Sequence, residues 1–335
     1  MTIKDLADKT GYSVATISRV LNNHPNVSRK TREEVSRAVE ESGFQINTNA
    51  KQLKQRATSI LVVVKGTSNE MFREMVETIQ NLVSQTSYPL YVDYIDEDAN
   101  EVHRAIQLCS EKKPLGILFL GANSHYFRKD FAKIDIPCVL VSNDASGLNF
   151  PNLSSVSTDD RQAARCAMDS LIALGHRKIA IVGGDREISD PSRLRYEGCV
   201  QSFQNHGICF DEKKNYCEVR FSCQDGYDAT QELIARGCSF TALFAVADVV
   251  AIGAIRALHD NGLRVPKDVS VMGFDGLPLS SFLVPQLSTV RQSTQLMAKR
   301  SVAILIDRIE NGGSATYESV PYMLYQREST RRIGE

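Results

Sequence analysis

One face of a short helix near the amino terminus carries the first side chains with suggestive chemistry. Ile17 and Val20 supply the apolar stripe of this helix at a spacing of three residues. The opposite face holds small or hydrogen-bonding side chains, namely Val14, Ala15, Ser18 and Arg19. Small side chains allow close approach to a flat surface, and an arginine can donate two parallel hydrogen bonds to the edge of guanine. This combination is typical of a helix that reads DNA in the major groove.

The flanking residues predict the elements that would position this helix. An earlier helix turns Leu6 inward, Gly11 permits a sharp turn, and Ser13 caps the helix that follows. A third helix is expected after Ser28, with Val35 on its inner stripe. Three short helices in this order predict an all-α helix-turn-helix head.

Charge is distributed unevenly along the 335 residues, whose overall net charge is −1. Residues 1–58 hold ten Lys/Arg and six Asp/Glu, a net of +4, whereas the rest holds 29 and 34, a net of −5. A basic head on an acidic body favours nucleic acid as the partner of the head. The chain offers no apolar signal core and no membrane-length apolar run, so we expect a cytoplasmic protein whose cysteines are structural thiols.

Beyond the head, residues 47–58 are polar and basic with one isolated leucine, which predicts a linker or a helix that forms only against a partner. Seven apolar runs then alternate with helical patterns. They lie at 60–64, 89–95, 116–121, 137–142, 178–184, 242–246 and 269–274. Continuous apolar runs separated by helices predict doubly wound parallel sheets. The length suits an α/β body of two such lobes with a cleft between them.

Catalytic motifs are missing from the sequence. It contains no GxGxxG, no GxxxxGK[ST], no GxSxG and no HExxH, and its six histidines are scattered. We therefore predict no catalytic residue, metal site or cofactor. A transport-type binding protein fits the body alone, but the basic head argues against it.

Several long segments together resemble the lactose repressor (LacI/GalR) family of bacterial transcription regulators. They are IKDLADKTGYSVATISRVLNNHPNVSRKTREEV at 3–35, ALGHRKIAIVGG at 173–184, RYEG at 195–198, ADVVAIGAIRALHDNGLRVPKDVSVMGFD at 247–275 and PQLSTVRQ at 285–292. The resemblance implies a homodimeric repressor that binds a near-palindromic double-stranded operator. Its body would resemble periplasmic sugar-binding proteins and sense a small molecule without contacting a membrane.

The same resemblance implies which head residues meet DNA. Val14 and Ala15 occupy the two main specificity positions of the family, and Arg19 a recurrent base-contacting position. Leu53 matches the leucine of a hinge helix that wedges open a base step in the minor groove. The full expected DNA-binding set is Thr2, Ser13, Val14, Ala15, Thr16, Ser18, Arg19, Asn22, Asn26, Ser28, Thr31, Ala50, Leu53 and Lys54.

For the effector, the resemblance favours Arg195 and Asp275 as paired donor and acceptor in the cleft. The full expected set is Phe72, Ser142, Asn143, Ser189, Arg195, Phe221, Asp248 and Asp275. A sugar or sugar derivative is the expected effector, and a purine or nucleoside is the alternative. The expected domains are a head at 1–46, a hinge at 47–58 and a body at 59–335. Within the body we expect an amino-terminal lobe at about 59–157 and 290–320 and a carboxyl-terminal lobe at about 158–289 and 321–335.

Overall fold

The computed structural model describes residues 3–21, 27–42, 58–66 and 69–334. The chain divides into two compact units, Met1–Arg56 and Ala57–Glu335. The first unit is the head and the second is the body.

The head consists of three helices around a small apolar core. They are α1 (Ile3–Thr10), α2 (Val14–Leu21) and α3 (Arg29–Ser42). Gly11 adopts a φ of +69° between α1 and α2, a conformation that glycine accepts without steric cost. Leu6, Ile17 and Val35, one from each helix, are fully buried against one another. The predicted helix-turn-helix is therefore present in the head.

The body begins with alternating strands and helices. Its first half comprises β1 (Ile60–Lys65), α4 (Glu70–Val83), β2 (Leu90–Ile95), α5 (Glu101–Lys112), β3 (Gly116–Leu120), α6 (Ser124–Asp130), β4 (Cys138–Val141) and β5 (Leu153–Thr158). Short 3-10 turns at Phe131–Lys133 and Ser146–Leu148 complete this half.

The second half continues the alternation and adds a carboxyl-terminal pair of strands. It comprises α7 (Asp160–Ala173), β6 (Ile179–Gly184), α8 (Asp190–Asn205), α9 (Glu212–Asn215), β7 (Tyr216–Val219), α10 (Cys223–Ala235), β8 (Ala242–Ala245), α11 (Asp248–Asp260), β9 (Ser270–Asp275), β10 (Ser288–Gln292), α12 (Thr294–Asn311), β11 (Tyr317–Val320) and β12 (Tyr322–Tyr325). A 3-10 turn at Pro278–Ser281 follows β9.

These strands form two six-stranded sheets, each the centre of one lobe. The first lobe has the order β11-β5-β4-β3-β1-β2, and the second has β12-β10-β9-β8-β6-β7. Every pairing is parallel except that of β10 with β12. The chain crosses between the sheets after β5, after β10 and after β11. Because β10 ends at Gln292 within the second sheet, the return to the first lobe follows residue 292 and not the expected 290.

Helices cover both faces of each sheet, which explains the continuous apolar runs of the central strands. Residues Ile60–Val64 of β1 are all buried, with alternate side chains entering the two apolar clusters of the first lobe. One helix was predicted over 195–206 but begins at Asp190. Its first turn contains Pro191, which is accepted there because the first N–H groups of a helix have no internal partner.

Candidate functional site

The outer face of α2 is accessible from one end of the helix to the other. Its exposed or half-exposed side chains are Val14, Ala15, Ser18 and Arg19. Arg29 and Glu33 on α3 form an ion pair, whereas the exposed Arg19 forms none with the described residues of the head. The Arg19 guanidinium is thus available for an external acceptor.

Two hydroxyl pairs cap the helices that flank this face. Ser13 Oγ accepts the Thr16 N–H at 3.1 Å, and Ser28 Oγ accepts the Thr31 N–H at 3.1 Å. The hydroxyls of each pair also lie within 2.9 Å of each other. Since these four residues stand at helix amino termini, where backbone N–H groups favour anions, they suit phosphate contacts as well as capping.

The remaining residues of the expected DNA-binding set lie outside the described residues. They are Thr2, Asn22, Asn26, Ala50, Leu53 and Lys54. Their roles stay predictions that follow from the family resemblance.

The body contains a cavity of about 430 Å³ between its two lobes. Strand ends and following loops from both sheets line it, as expected of ligand sites in parallel α/β folds. Seven of the eight residues of the expected effector set lie on its walls. They are Phe72, Ser142, Asn143, Ser189, Arg195, Phe221 and Asp275. This cavity is called the cleft below.

Arg195 is the most constrained polar side chain of the cleft. Its Nε donates to Asp160 Oδ1 at 2.7 Å and its Nη1 donates to the carbonyl oxygen of Val246 at 2.6 Å. The guanidinium lies 3.7 Å from the centre of the Phe274 ring, and its side chain is 5 % exposed. Arg195 is therefore held in one orientation before any ligand arrives.

Asp275 lies beside Arg195, with Oδ1 3.5 Å from Arg195 Nη1. Gln292 Nε2 donates to the same oxygen at 2.8 Å. Burial raises the pKa of Asp275 to about 6, although the charge of Arg195 opposes the rise. Asp275 has a φ of +110° and Ser142 a φ of +76°, both uncommon for residues other than glycine. Such local strain concentrates at functional sites.

Asp248 does not belong to the cleft wall. It is fully buried, and its carboxylate accepts the Leu277 N–H at 2.7 Å and the Thr289 hydroxyl at 2.6 Å. Burial raises the pKa of Asp248 to about 8, with a further contribution from the charge of Asp275. The geometry gives Asp248 a part in fixing the segment after β9, and its expected contact with an effector remains untested.

Three predicted polar residues of the cleft are held by internal hydrogen bonds, two of them to the backbone. Asn143 Oδ1 accepts the Ala122 N–H and its Nδ2 donates to the Ala122 carbonyl, both at 3.1 Å. Ser189 Oγ accepts the Ser192 N–H at 3.3 Å and thereby caps α8. The Ser142 hydroxyl lies 3.4 Å from Asn143 Oδ1. These contacts fix the shape of the cleft.

Two aromatic side chains bring apolar surface to the cleft from opposite lobes. Phe72 also packs into the core of the first lobe, and Phe221 packs against the core of the second. A Cβ at Gly121 would lie 2.9 Å from the Phe72 ring, so glycine at this position gives the ring its room.

Several residues of the cleft were not predicted from the sequence. Lys65 lines the wall and its Nζ donates to Glu101 at 2.8 Å. Arg220 of the second lobe contacts the loop after β2 of the first, with Nε 2.5 Å from Glu97 and Nη2 against Asp98. No spacing rule links these partners, because they are far apart in sequence and meet only through the sheet topology.

A further contact joins the lobes away from Arg220. The Asp190 carboxylate accepts the backbone N–H of Ser124 at 3.1 Å and its hydroxyl at 3.2 Å. Arg220 and Asp190 of the second lobe therefore both tie it to the first. In the described residues, no group of three or more His, Cys, Asp or Glu side chains is arranged to hold a metal ion. No described helix has the length and apolar character that spanning a bilayer requires.

Two family models match this chain. The model for bacterial regulatory proteins of the lacI family matches residues 2–47, and that for a periplasmic binding protein-like domain matches residues 168–330. The transcriptional regulator MalR of Clostridium butyricum is 34 % identical to it, over 99 % of this chain and 100 % of that protein.

Solved structures resemble the whole chain as well. One is the lac repressor dimer bound to operator and the anti-inducer ONPF, with a TM-score of 0.72 at 25 % identity over 99 % of each chain. Another is the transcriptional regulator CelR in complex with cellobiose. It has a TM-score of 0.70 at 26 % identity, covering 98 % of this chain and 99 % of that chain.

A helix-turn-helix head together with a two-lobed, ligand-binding α/β body defines a DNA-binding transcriptional regulator. The chain belongs to the lacI family of bacterial regulatory proteins. The predicted family and fold class are confirmed. The prediction that the chain is not an enzyme is also confirmed, because its relatives are transcriptional regulators.

Proposed function

We propose that this protein is a transcriptional repressor whose affinity for its operator is controlled by a sugar bound in the cleft. The observation that carries the proposal is the constrained Arg195, which lies between Asp160 and Asp275 on the wall of a cavity shared by both lobes. A fixed donor beside a fixed acceptor suits adjacent hydroxyl groups, which both donate and accept hydrogen bonds.

The remainder of the cleft supports a sugar over other small molecules. Phe72 and Phe221 offer apolar surface from the two lobes, while polar groups surround them. A few directional polar groups within an apolar lining are typical of small-molecule sites, and a volume of about 430 Å³ lies in their range. The resemblance to the regulator CelR, solved with cellobiose, adds support.

Control of the operator follows from linkage. A ligand that contacts both lobes favours one degree of lobe closure, and it changes DNA affinity if that closure and DNA binding depend on each other. The proposal includes the division into a head at 1–46, a hinge at 47–58 and a body at 59–335. It also includes the DNA contacts of the head and the wedge role of Leu53.

An exposed apolar patch supports the homodimer that the family resemblance implies. It consists of Leu279, Phe282 and Val284, which are 54 %, 80 % and 95 % exposed in the segment after β9. Contiguous apolar side chains on a surface mark interaction sites, and a two-fold dimer covers such a patch with its own copy. The similar lac repressor structure is that of a dimer.

The double substitution Phe282→Asp and Val284→Asp is expected to convert the dimer to a monomer, because two buried carboxylates per subunit would face each other without partners. Analytical ultracentrifugation at micromolar concentration measures the change. The matched control is Ile333→Asp, which places the same charge on an apolar residue that is 48 % exposed outside the patch. A double variant that stays dimeric rules this patch out as the interface.

The proposed function is tested by joining ligand binding to operator binding. An operator is first selected from a randomised DNA pool with the full-length protein. The protein is then screened by thermal shift against neutral sugars, nucleosides and purine bases. Ligand at 100 times its Kd stabilises the folded state by about 2.7 kcal/mol.

We expect a sugar hit that changes the operator Kd by about 5- to 150-fold in a gel-shift titration. A purine base or nucleoside as the sole hit would replace the sugar with the alternative effector. A sugar that binds the cleft without changing operator affinity contradicts the proposed control.

A further inference from the structure

Every cationic side chain on the cleft wall already has a carboxylate partner. Lys65 pairs with Glu101 at 2.8 Å, and Arg195 pairs with Asp160 at 2.7 Å. Arg220, at the mouth, pairs with the acidic loop at 96–98. Binding an anion in a site withdrawn from water requires a cation or several donors to offset lost hydration. The positive charge of each of these three side chains is therefore already offset by a carboxylate of the protein, although each can still donate a hydrogen bond to a neutral ligand.

Helix amino termini are the other common anion sites, and three helices that begin at the cleft have side-chain caps. Asn69 Oδ1 accepts the N–H groups of Met71 and Phe72 at the start of α4. Ser189 caps α8, and Ser222 Oγ accepts the Asp225 N–H at 3.0 Å at the start of α10. An incoming phosphate or carboxylate would have to displace a cap to gain these donors.

The cleft wall carries three further carboxylates for which no ion pair forms with the described residues. Asp185, Glu218 and Asp225 line it from the second lobe, and in the described part of the chain none of them is within ion-pair distance of a lysine or arginine. Burial raises the pKa of Glu218 and the nearby charge of Asp185 adds to the rise, while the charge of Arg186 opposes it. An anion in the cleft would meet these three carboxylates.

We infer that the effector of this cleft is a polyhydroxyl compound without phosphate or carboxylate groups. The inference rests on the proposed function and narrows it from sugars and sugar derivatives to those that carry no negative charge. Selectivity comes from repulsion, because the carboxylates of the wall weaken anionic analogues without contributing to the fit of a neutral sugar. Tight anion recognition would need an uncommitted arginine or lysine, as in bidentate phosphate sites.

The test compares uncharged sugars with their own anionic forms by isothermal titration calorimetry. The probes are glucose against glucose 6-phosphate and glucuronate, and ribose against ribose 5-phosphate. The parent sugar that binds is expected to bind at least tenfold more tightly than its anionic form. Since the selectivity is electrostatic, the ratio of the affinity for the parent sugar to that for its anionic form is expected to fall. This fall should be seen as the salt concentration is raised from 20 to 500 mM.

Paired variants locate the effect on the wall. Glu218→Gln combined with Asp185→Asn is expected to reduce the ratio several-fold, because both substitutions remove charge and keep the size of the side chain. Asp228→Asn is the matched control, since Asp228 is an exposed carboxylate on α10 outside the cleft lining. A ratio that the double variant leaves unchanged contradicts the inference.

The two possible failures can be told apart. If an anionic sugar binds more tightly than its parent, and this binding is lost in Phe221→Ala, the inferred charge selectivity is wrong. The proposal of a repressor controlled by a sugar in the cleft is not contradicted by that result. If neither form of either sugar binds, and no sugar in a wider panel of neutral sugars binds, the proposed sugar effector is contradicted. The present inference is then contradicted as well, because it rests on that proposal.

Discussion

The substitution Arg195→Ala is expected to lower the free energy of unfolding by about 3–5 kcal/mol, the range for removing one partner of a buried ion pair. The Asp160 carboxylate is 3 % exposed, and without the guanidinium its charge has no counter-ion. The carbonyl oxygen of Val246 would lose its donor at 2.6 Å in the same step. Chemical denaturation at pH 7 measures the change.

The loss of folding stability caused by Arg195→Ala is expected to grow as the pH rises. Burial raises the pKa values of Asp160 and Asp275 above those of the unfolded chain, and Arg195 limits the rise. Without Arg195 both pKa values climb further, so the folded state binds more protons than the unfolded state over a wider pH range. Stability falls with rising pH wherever the folded state binds more protons. The difference between wild type and variant should therefore be smaller at pH 5 than at pH 8.

The neighbouring Arg193 provides a matched control on the same helix. Its side chain is 42 % exposed and pairs with Asp190 and Glu197 at the surface. Exposed pairs contribute about 0–1 kcal/mol, so Arg193→Ala should change stability little. Combining Arg195→Ala with Asp160→Asn should restore part of the stability by removing the unpaired charge, yet leave ligand binding abolished. Restored ligand binding in the double variant would show that Arg195 does not contact the ligand.

The sequence predicted the central strands β1, β3, β4, β6, β8 and β9, because a strand buried on both faces is a continuous apolar run, but it missed the central strands β5 and β10. Strand β5 escaped prediction although it is buried throughout. Its sequence is Leu-Ser-Ser-Val-Ser-Thr, and two of its serine hydroxyls accept hydrogen bonds from the backbone of other segments. Ser154 Oγ accepts the Thr316 N–H, and Ser155 Oγ accepts the Ala145 N–H, both at 3.0 Å. Hydroxyls paired with backbone from other segments leave no periodic signal.

The edge strands β11 and β12 were not predicted from the sequence, for a different reason. Each is four residues long and mostly exposed or half-buried, so apolar patterning is weak. The wall of the cleft was largely predictable, since family motifs and strand ends coincide at residues such as Arg195 and Asp275. Partners such as Asp160 and Arg220 were not predictable, because ion pairs between residues far apart in sequence depend on how helices and lobes pack in three dimensions.

The substitution Arg19→Ala is expected to weaken binding to the selected operator by about 1–3 kcal/mol in each half-site, the range for one bidentate contact with guanine. In a dimer the two half-sites together give a loss of about 30- to 20,000-fold. Arg19 is exposed on α2, so its removal leaves the core of the head intact. Thermal unfolding should therefore be unchanged.

The comparison that decides the role of Arg19 is between operator and scrambled DNA. A base contact predicts a large loss on the operator and a small loss on scrambled DNA, where only one charge per subunit is missing. Arg29→Ala is the matched control, because Arg29 is an exposed arginine of the head whose side chain lies on α3 beside Glu33. It should weaken both DNAs alike or not at all. If Arg19→Ala weakens binding to operator and to scrambled DNA equally, Arg19 contacts only phosphate. Recognition of the base sequence would then depend on Val14, Ala15 and Ser18.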